Sequence, residues 1–140
     1  ACMAGSNYNN KNIMPVQGIV SFYCPSNLSG MLEEQNGDMG FLVNVLPDYP
    51  LSEEEQKKVL ERMSPVYYAD KKSIPSILLF HGDQDEVVNY RQSCEYKMKL
   101  EDAGNNAELI IVQGQGHGFF KGQIYYDQVV EFFEKEVANK

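Results

Sequence analysis

Two segments of the sequence carry side chains that could exchange a proton. The chain has two histidines: His81 begins the segment HGDQDE, and His117 lies between glycines in GQGHGFF. The first segment also supplies three carboxylates, Asp83, Asp85 and Glu86. A carboxylate bonded to an imidazole fixes its tautomer and stabilises the imidazolium that forms when the ring accepts a proton. Together the segments favour acid–base chemistry, for which a hydroxyl or thiol nucleophile is still required.

Apolar runs directly precede both segments and predict buried strands. SILLFHG (76–82) leads into the acidic segment, AELIIVQG (107–114) leads into the histidine segment, and VQGIVSFY (16–23) is a third run of this kind. Strands that are apolar throughout and alternate with helices predict an α/β fold with a parallel sheet flanked by helices. Because carboxyl ends of parallel strands meet at one edge of a sheet, neighbouring strands would place the two segments side by side.

Helical patterns occupy residues 52–63, 89–104 and 123–137, whereas residues 24–50 are predicted to be irregular. The first helix has a clear start, because Ser52 and Glu55 have the spacing of a capping box. The last helix has an apolar stripe typical of a helix that packs on a core. This stripe consists of Tyr126, Val130, Phe133 and Val137, widened by Val129 and Phe132.

Composition narrows the classes of function. The 140 residues fit a single domain, and the net charge of −8 disfavours a nucleic-acid partner. No run approaches the about 18 apolar residues of a membrane span. Cys2, Cys24 and Cys94 are widely spaced, which predicts free thiols but leaves one disulfide possible and the compartment, cytoplasmic or secreted, open.

The acidic segment has two further interpretations. A metal site built from His81, Asp83 and Asp85 would need at least three converging ligands, and we favour the absence of a metal or cofactor. His81 ends a predicted strand, so we expect it to bond locally and to serve the structure rather than the chemistry. Phe119 and Phe120 are expected to form core beneath the histidine loop.

Four segments in order resemble the C-terminal part of an α/β-hydrolase. IVSFYCPSNL (19–28) and SPVYY (64–68) are similar to segments of the esterase/lipase group that includes bacterial feruloyl and acetylxylan esterases. ILLFHGDQDEVV (77–88) resembles the strand and loop that carry the triad acid, and ELIIVQGQGHGF (108–119) resembles those that carry the triad histidine. The resemblance implies that Asp85 is the acid, that His117 is the base, and that the substrate is a small ester of the kind carried by plant polysaccharides.

The family's nucleophile is missing from the sequence. None of the 140 residues forms a Gly-x-Ser-x-Gly elbow, and no His-Gly-Gly oxyanion loop is present. We therefore expect a C-terminal fragment of a serine carboxylester hydrolase that is inactive alone and self-associates through the unpaired edge of its first strand. Two alternatives stay open: a fragment of a prolyl-oligopeptidase-like serine peptidase, and a non-catalytic α/β-hydrolase-like binding module.

Overall fold

Three parallel strands form the centre of the fold. The computed structural model describes residues 1–6, 16–34, 51–119 and 122–138. The sheet has the order β1-β2-β3, with strands β1 (Ile19–Phe22), β2 (Ile77–Gly82) and β3 (Ala107–Val112). Ile77 of the central strand lies opposite Ile19 on one side and Ala107 on the other. The predicted α/β fold with a parallel sheet is confirmed.

The described residues contain five α-helices. They are α1 (Cys2–Ser6), α2 (Leu28–Glu34), α3 (Glu53–Met63), α4 (Arg91–Asp102) and α5 (Gln123–Ala138), with a 3₁₀ turn at Pro65–Tyr68. The α3 capping box forms as predicted, because the Ser52 hydroxyl accepts from the Glu55 N–H and the Glu55 carboxylate accepts from the Ser52 N–H. None of these helices is long and apolar enough to cross a membrane.

Helix α2 corrects the prediction that residues 24–50 are irregular. Its buried apolar side chains, Leu28 and Met31, are too few to give a helical pattern in a seven-residue element. They pack with Leu60 of α3 and Val88, which follow much later in the sequence. Residues 35–50 lie outside the described residues, as does Phe120.

The core lies on both faces of β2. Successive side chains of a strand point to opposite faces, so Ile77 and Leu79 pack against Leu100 and Tyr96 of α4. Leu78 and Phe80 point the other way and pack with Phe119 and with Phe132 of α5. All six residues of β2 are buried, which is the condition of a strand covered on both faces.

The predicted apolar stripe of α5 does not face the sheet. Its members are exposed, with relative exposures of 47% for Tyr126, 55% for Val130, 38% for Phe133 and 68% for Val137. The sheet is instead contacted by Tyr125, Val129 and Phe132, which have the same i, i+4, i+7 spacing one residue earlier. The helical period of α5 fits two overlapping apolar stripes equally well. The prediction that Val129 and Phe132 lie only at the margin of the packed face is therefore wrong.

Candidate active site

The loops that follow β2 and β3 lie against each other at the carboxyl edge of the sheet. The Gln84 N–H donates to the Gln115 carbonyl at 2.9 Å, and the Asp83 N–H donates to the Val112 carbonyl at 3.3 Å. In addition, the Asp83 carboxylate accepts a hydrogen bond from the Gly114 N–H of the histidine loop at 2.7 Å. These three bonds fix the position of the histidine loop relative to the acidic loop.

Asp85 and His117 form a direct hydrogen bond across the two loops. His117 Nδ1 lies 2.8 Å from Asp85 Oδ2, although 32 residues separate them in sequence. The Asp85 side chain is fully buried, whereas 39% of the His117 side chain is exposed. An ionised carboxylate can only accept, so the bond requires the proton on Nδ1 and leaves Nε2 of the neutral ring as an acceptor.

The other oxygen of Asp85 is held by backbone. Oδ1 accepts from the N–H groups of Val87 and Val88, at 2.9 and 2.8 Å. Burial acts to raise the pKa of Asp85, but the bonds from the Val88 N–H, His117 and the Val87 N–H together outweigh it and lower that pKa below its usual value. Asp85 therefore remains a carboxylate in neutral solution.

His81 belongs to the hydrogen-bond network that joins Asp85 and His117. Its ring is completely buried, with Nε2 at 2.8 Å from the Val88 carbonyl and Nδ1 at 2.7 Å from the Ser93 hydroxyl. A carbonyl accepts only, so Nε2 carries the proton and Ser93 donates to Nδ1. Burial lowers the pKa of His81, and the Val88 carbonyl and Asp85 only partly offset this.

The bonds of His81 extend beyond its own neighbourhood. Ser93 lies on α4, and Nε2 also approaches Asp85 Oδ2 to 3.3 Å. His81 thus ties α4 and the acidic loop to the oxygen that His117 uses. We expected His81 to bond locally and to serve the structure. Its ring also contacts the carboxylate of the candidate site.

Sequence reasoning missed Tyr23, which lies against His117. The two ring centroids are 4.6 Å apart, and the Tyr23 ring also meets Phe119 edge-on at 4.9 Å. Tyr23 has a φ of 51°, a left-handed conformation that is unusual for a bulky residue and occurs where surrounding structure holds it. Its position directly after β1, at the edge where the loops gather, was the available signal.

The other side chains that the sequence analysis singled out lie outside the Asp85–His117 hydrogen bond. Asp83 bonds the Gly114 backbone, Glu86 is exposed, and Phe119 is buried beneath the loop. Buried serines have structural partners: Ser26 donates to the Gln92 carbonyl and Ser64 to the Leu60 carbonyl. Among the residues that the structure describes, no group of three or more His, Cys, Asp or Glu side chains has an arrangement that could hold a metal ion.

A family model and several solved structures are similar to this chain. The BD-FAE family model, an α/β-hydrolase-type esterase domain, matches residues 1–100. A truncated carbohydrate esterase from gut microbiota is 30% identical with a TM-score of 0.71, and the match covers 88% of this chain and 44% of that one. No protein among the curated ones matches.

Two further solved structures share the fold. Acylaminoacyl peptidase of Pyrococcus horikoshii is 23% identical with a TM-score of 0.72, over 96% of this chain and 21% of that one. Propionate-bound esterase 2 of Thermogutta terrifontis is 20% identical with a TM-score of 0.61, over 95% of this chain and 46% of that one. The chain thus spans less than half the length of each of these three solved chains.

Proposed function

The chain belongs to the BD-FAE family of α/β-hydrolase-type esterase domains, and from that premise we propose that it is the acid- and base-bearing part of a serine carboxylester hydrolase. One observation carries the proposal: the buried Asp85 carboxylate accepts a 2.8 Å bond from Nδ1 of the part-exposed His117. This is the arrangement in which a carboxylate orients a general base.

In the proposed reaction, His117 Nε2 takes the proton from a serine hydroxyl as that oxygen attacks the ester carbonyl. Asp85 keeps Nδ1–H in place and stabilises the imidazolium, without accepting its proton. His117 then protonates the departing alcohol, which leaves an acyl-enzyme. Water, activated by the same ring, hydrolyses the acyl-enzyme and returns the serine. The lowered pKa of Asp85 supports this role, because only the ionised carboxylate stabilises a cationic ring.

We propose that the nucleophilic serine and the oxyanion hole come from residues outside these 140, since none of them forms a Gly-x-Ser-x-Gly elbow. The 140-residue chain should then hydrolyse p-nitrophenyl acetate no faster than its Asp85→Ala variant. A clear rate difference between the two proteins, with an acetyl group trapped on a serine of this chain and found by mass spectrometry, would contradict the proposal.

The substrate class proposed is a short acyl ester on a carbohydrate. Its support is the solved carbohydrate esterase at 30% identity. The test uses a protein that joins this segment to a Gly-x-Ser-x-Gly segment and measures acetate and ferulate released from acetylated and feruloylated xylo-oligosaccharides. Hydrolysis of p-nitrophenyl acetate without release from either oligosaccharide would refute the carbohydrate substrate and leave the esterase.

A serine peptidase is the second candidate. Acylaminoacyl peptidase matches over 96% of the chain with a TM-score of 0.72. The same joined protein distinguishes an esterase from a peptidase. An esterase cleaves p-nitrophenyl acetate but leaves N-acetylalanine p-nitroanilide intact, whereas a peptidase cleaves the anilide. Cleavage of the anilide at a comparable kcat/KM would favour the peptidase over the esterase.

Self-association of this chain is proposed through the outer edge of β1. Among the described residues, β1 is an outer strand that pairs with β2 alone, so a strand of another copy can add to the sheet at its second edge. Light scattering at tens of micromolar should give a mass above that of one chain. A monomer mass across that range would contradict the proposal.

A further inference from the structure

Two cysteine thiols meet at the junction of α1 and the end of β1. Cys2 Sγ lies 3.5 Å from Cys24 Sγ, although 22 residues separate them in sequence. Both residues are buried, at 5% and 3% exposure, in the core cluster that also contains Ile19. Cys94, the third cysteine, lies on α4 and is only partly buried.

The two thiols have unequal acidities that suit them to different roles. The S–H···S bond from Cys24 lowers the pKa of Cys2 to about 7, against the opposing effect of burial. The same bond and burial raise the pKa of Cys24 well above its usual value. A thiolate is the nucleophile in thiol–disulfide exchange, so Cys2 is the thiol that reacts first and Cys24 the one that follows.

We propose that Cys2 and Cys24 form a redox-modification site, which closes to an intramolecular disulfide on reaction with a low-molecular-weight disulfide such as oxidised glutathione. The Cys2 thiolate attacks one sulfur of that disulfide, forms a mixed disulfide and releases one thiolate. Cys24 passes its proton to this thiolate and attacks the Cys2 sulfur, which expels the second thiolate to be protonated by solvent. Two protein thiols are oxidised, and one small disulfide is reduced to two thiols.

Disulfide formation needs only a small movement of the two sulfurs, close to the candidate active site. A disulfide has an S–S length of about 2.05 Å, so the sulfurs need to approach by about 1.5 Å. Cys24 directly follows Tyr23, whose ring lies 4.6 Å from that of His117. The bridge would therefore join α1 to the strand end that carries this aromatic contact.

The test is a peptide map of the folded 140-residue chain. Trypsin cleaves after Lys11, between the two cysteines, and it places Cys94 in a third peptide. The reduced protein is incubated with oxidised glutathione, alkylated and digested. We expect peptides 1–11 and 12–57 to elute as one linked species that separates on reduction, with Cys94 alkylated or glutathionylated.

Matched variants complete the experiment. Cys94→Ser should form the link as the parent chain does, whereas Cys2→Ser and Cys24→Ser should not. The same treatment in guanidinium should give little of the link, because the fold brings the sulfurs together. Alkylation of both Cys2 and Cys24 after prolonged oxidation of the folded chain, or links made through Cys94 instead, would overturn the proposal.

Discussion

The backbone of Gly82, at the end of β2, passes directly beneath the carbonyl of Gln115 in the histidine loop. A Cβ atom on Gly82 would lie 2.1 Å from that oxygen and 2.7 Å from the carbonyl carbon. Only a residue without a side chain permits this approach. The contact allows the Gln84–Gln115 backbone bond, and through it the meeting of Asp85 with His117.

Replacing Gly82 by alanine should separate the two loops. The new methyl group meets backbone rather than a flexible side chain, so we expect a loss of about 1–3 kcal/mol in the free energy of unfolding. Chemical denaturation measures the loss. Gly116→Ala is the matched control, since its Cβ would lie 3.4 Å from the Gln84 carbonyl, an ordinary contact. Equal stability of Gly82→Ala and the parent chain would contradict the geometry.

Turnover should depend strongly on Asp85 and little on Glu86, the exposed carboxylate beside it. In a protein that joins this segment to its nucleophile, Asp85→Ala should lower kcat by about 10³–10⁴-fold, because the base loses its orienting partner. Glu86→Gln, an exposed neighbour, should leave kcat within about twofold of the parent, since it lies outside the network. Ester hydrolysis measures both, and a similar loss from the two substitutions would refute the assignment.

His81 should make the fold sensitive to mild acid. Burial lowers its pKa in the folded state below the ordinary 6.5, so the unfolded chain binds the extra proton first as the pH falls. Stability is therefore retained above pH 6.5 and lost below it, with a slope of at most about 1.4 kcal/mol per pH unit for one proton.

Denaturation at a series of pH values between 7 and 5 measures this slope. The His81→Gln variant should lose this part of the pH dependence of the free energy of unfolding, whatever its absolute stability. His117→Gln should keep it, because His81 is intact. A slope that persists in His81→Gln and disappears in His117→Gln would reverse the roles that we assign to the two rings.

Local sequence signals were sufficient where a pattern permits one interpretation. The apolar run of β2 predicts a strand buried on both faces, and Ser52 with Glu55 predicts the start of α3; both are as the structure has them. The adjacency of the two loops followed from the parallel order of β2 and β3.

Features that depend on distant residues could not be predicted. The inward stripe of α5 is decided by the sheet and not by the helix's own period, so Phe133 was placed inward although it is exposed. Tyr23 contacts His117 only because β1 ends at the same edge as β3. The proximity of Cys2 to Cys24 likewise arises from the packing of α1 on the sheet, which no spacing in the sequence reports.

The most direct test of the account is the tautomer of each histidine, read from ¹⁵N chemical shifts in a long-range ¹H–¹⁵N spectrum in mildly alkaline solution, where imidazoles are neutral. The two rings should differ: His117 protonated on Nδ1 toward Asp85, and His81 on Nε2 toward the Val88 carbonyl. In Asp85→Ala, His117 should lose its Nδ1–H preference while His81 keeps its proton on Nε2. A His117 ring protonated on Nε2 in the parent chain, or one unchanged by Asp85→Ala, would contradict the central claim that Asp85 orients His117 as a base.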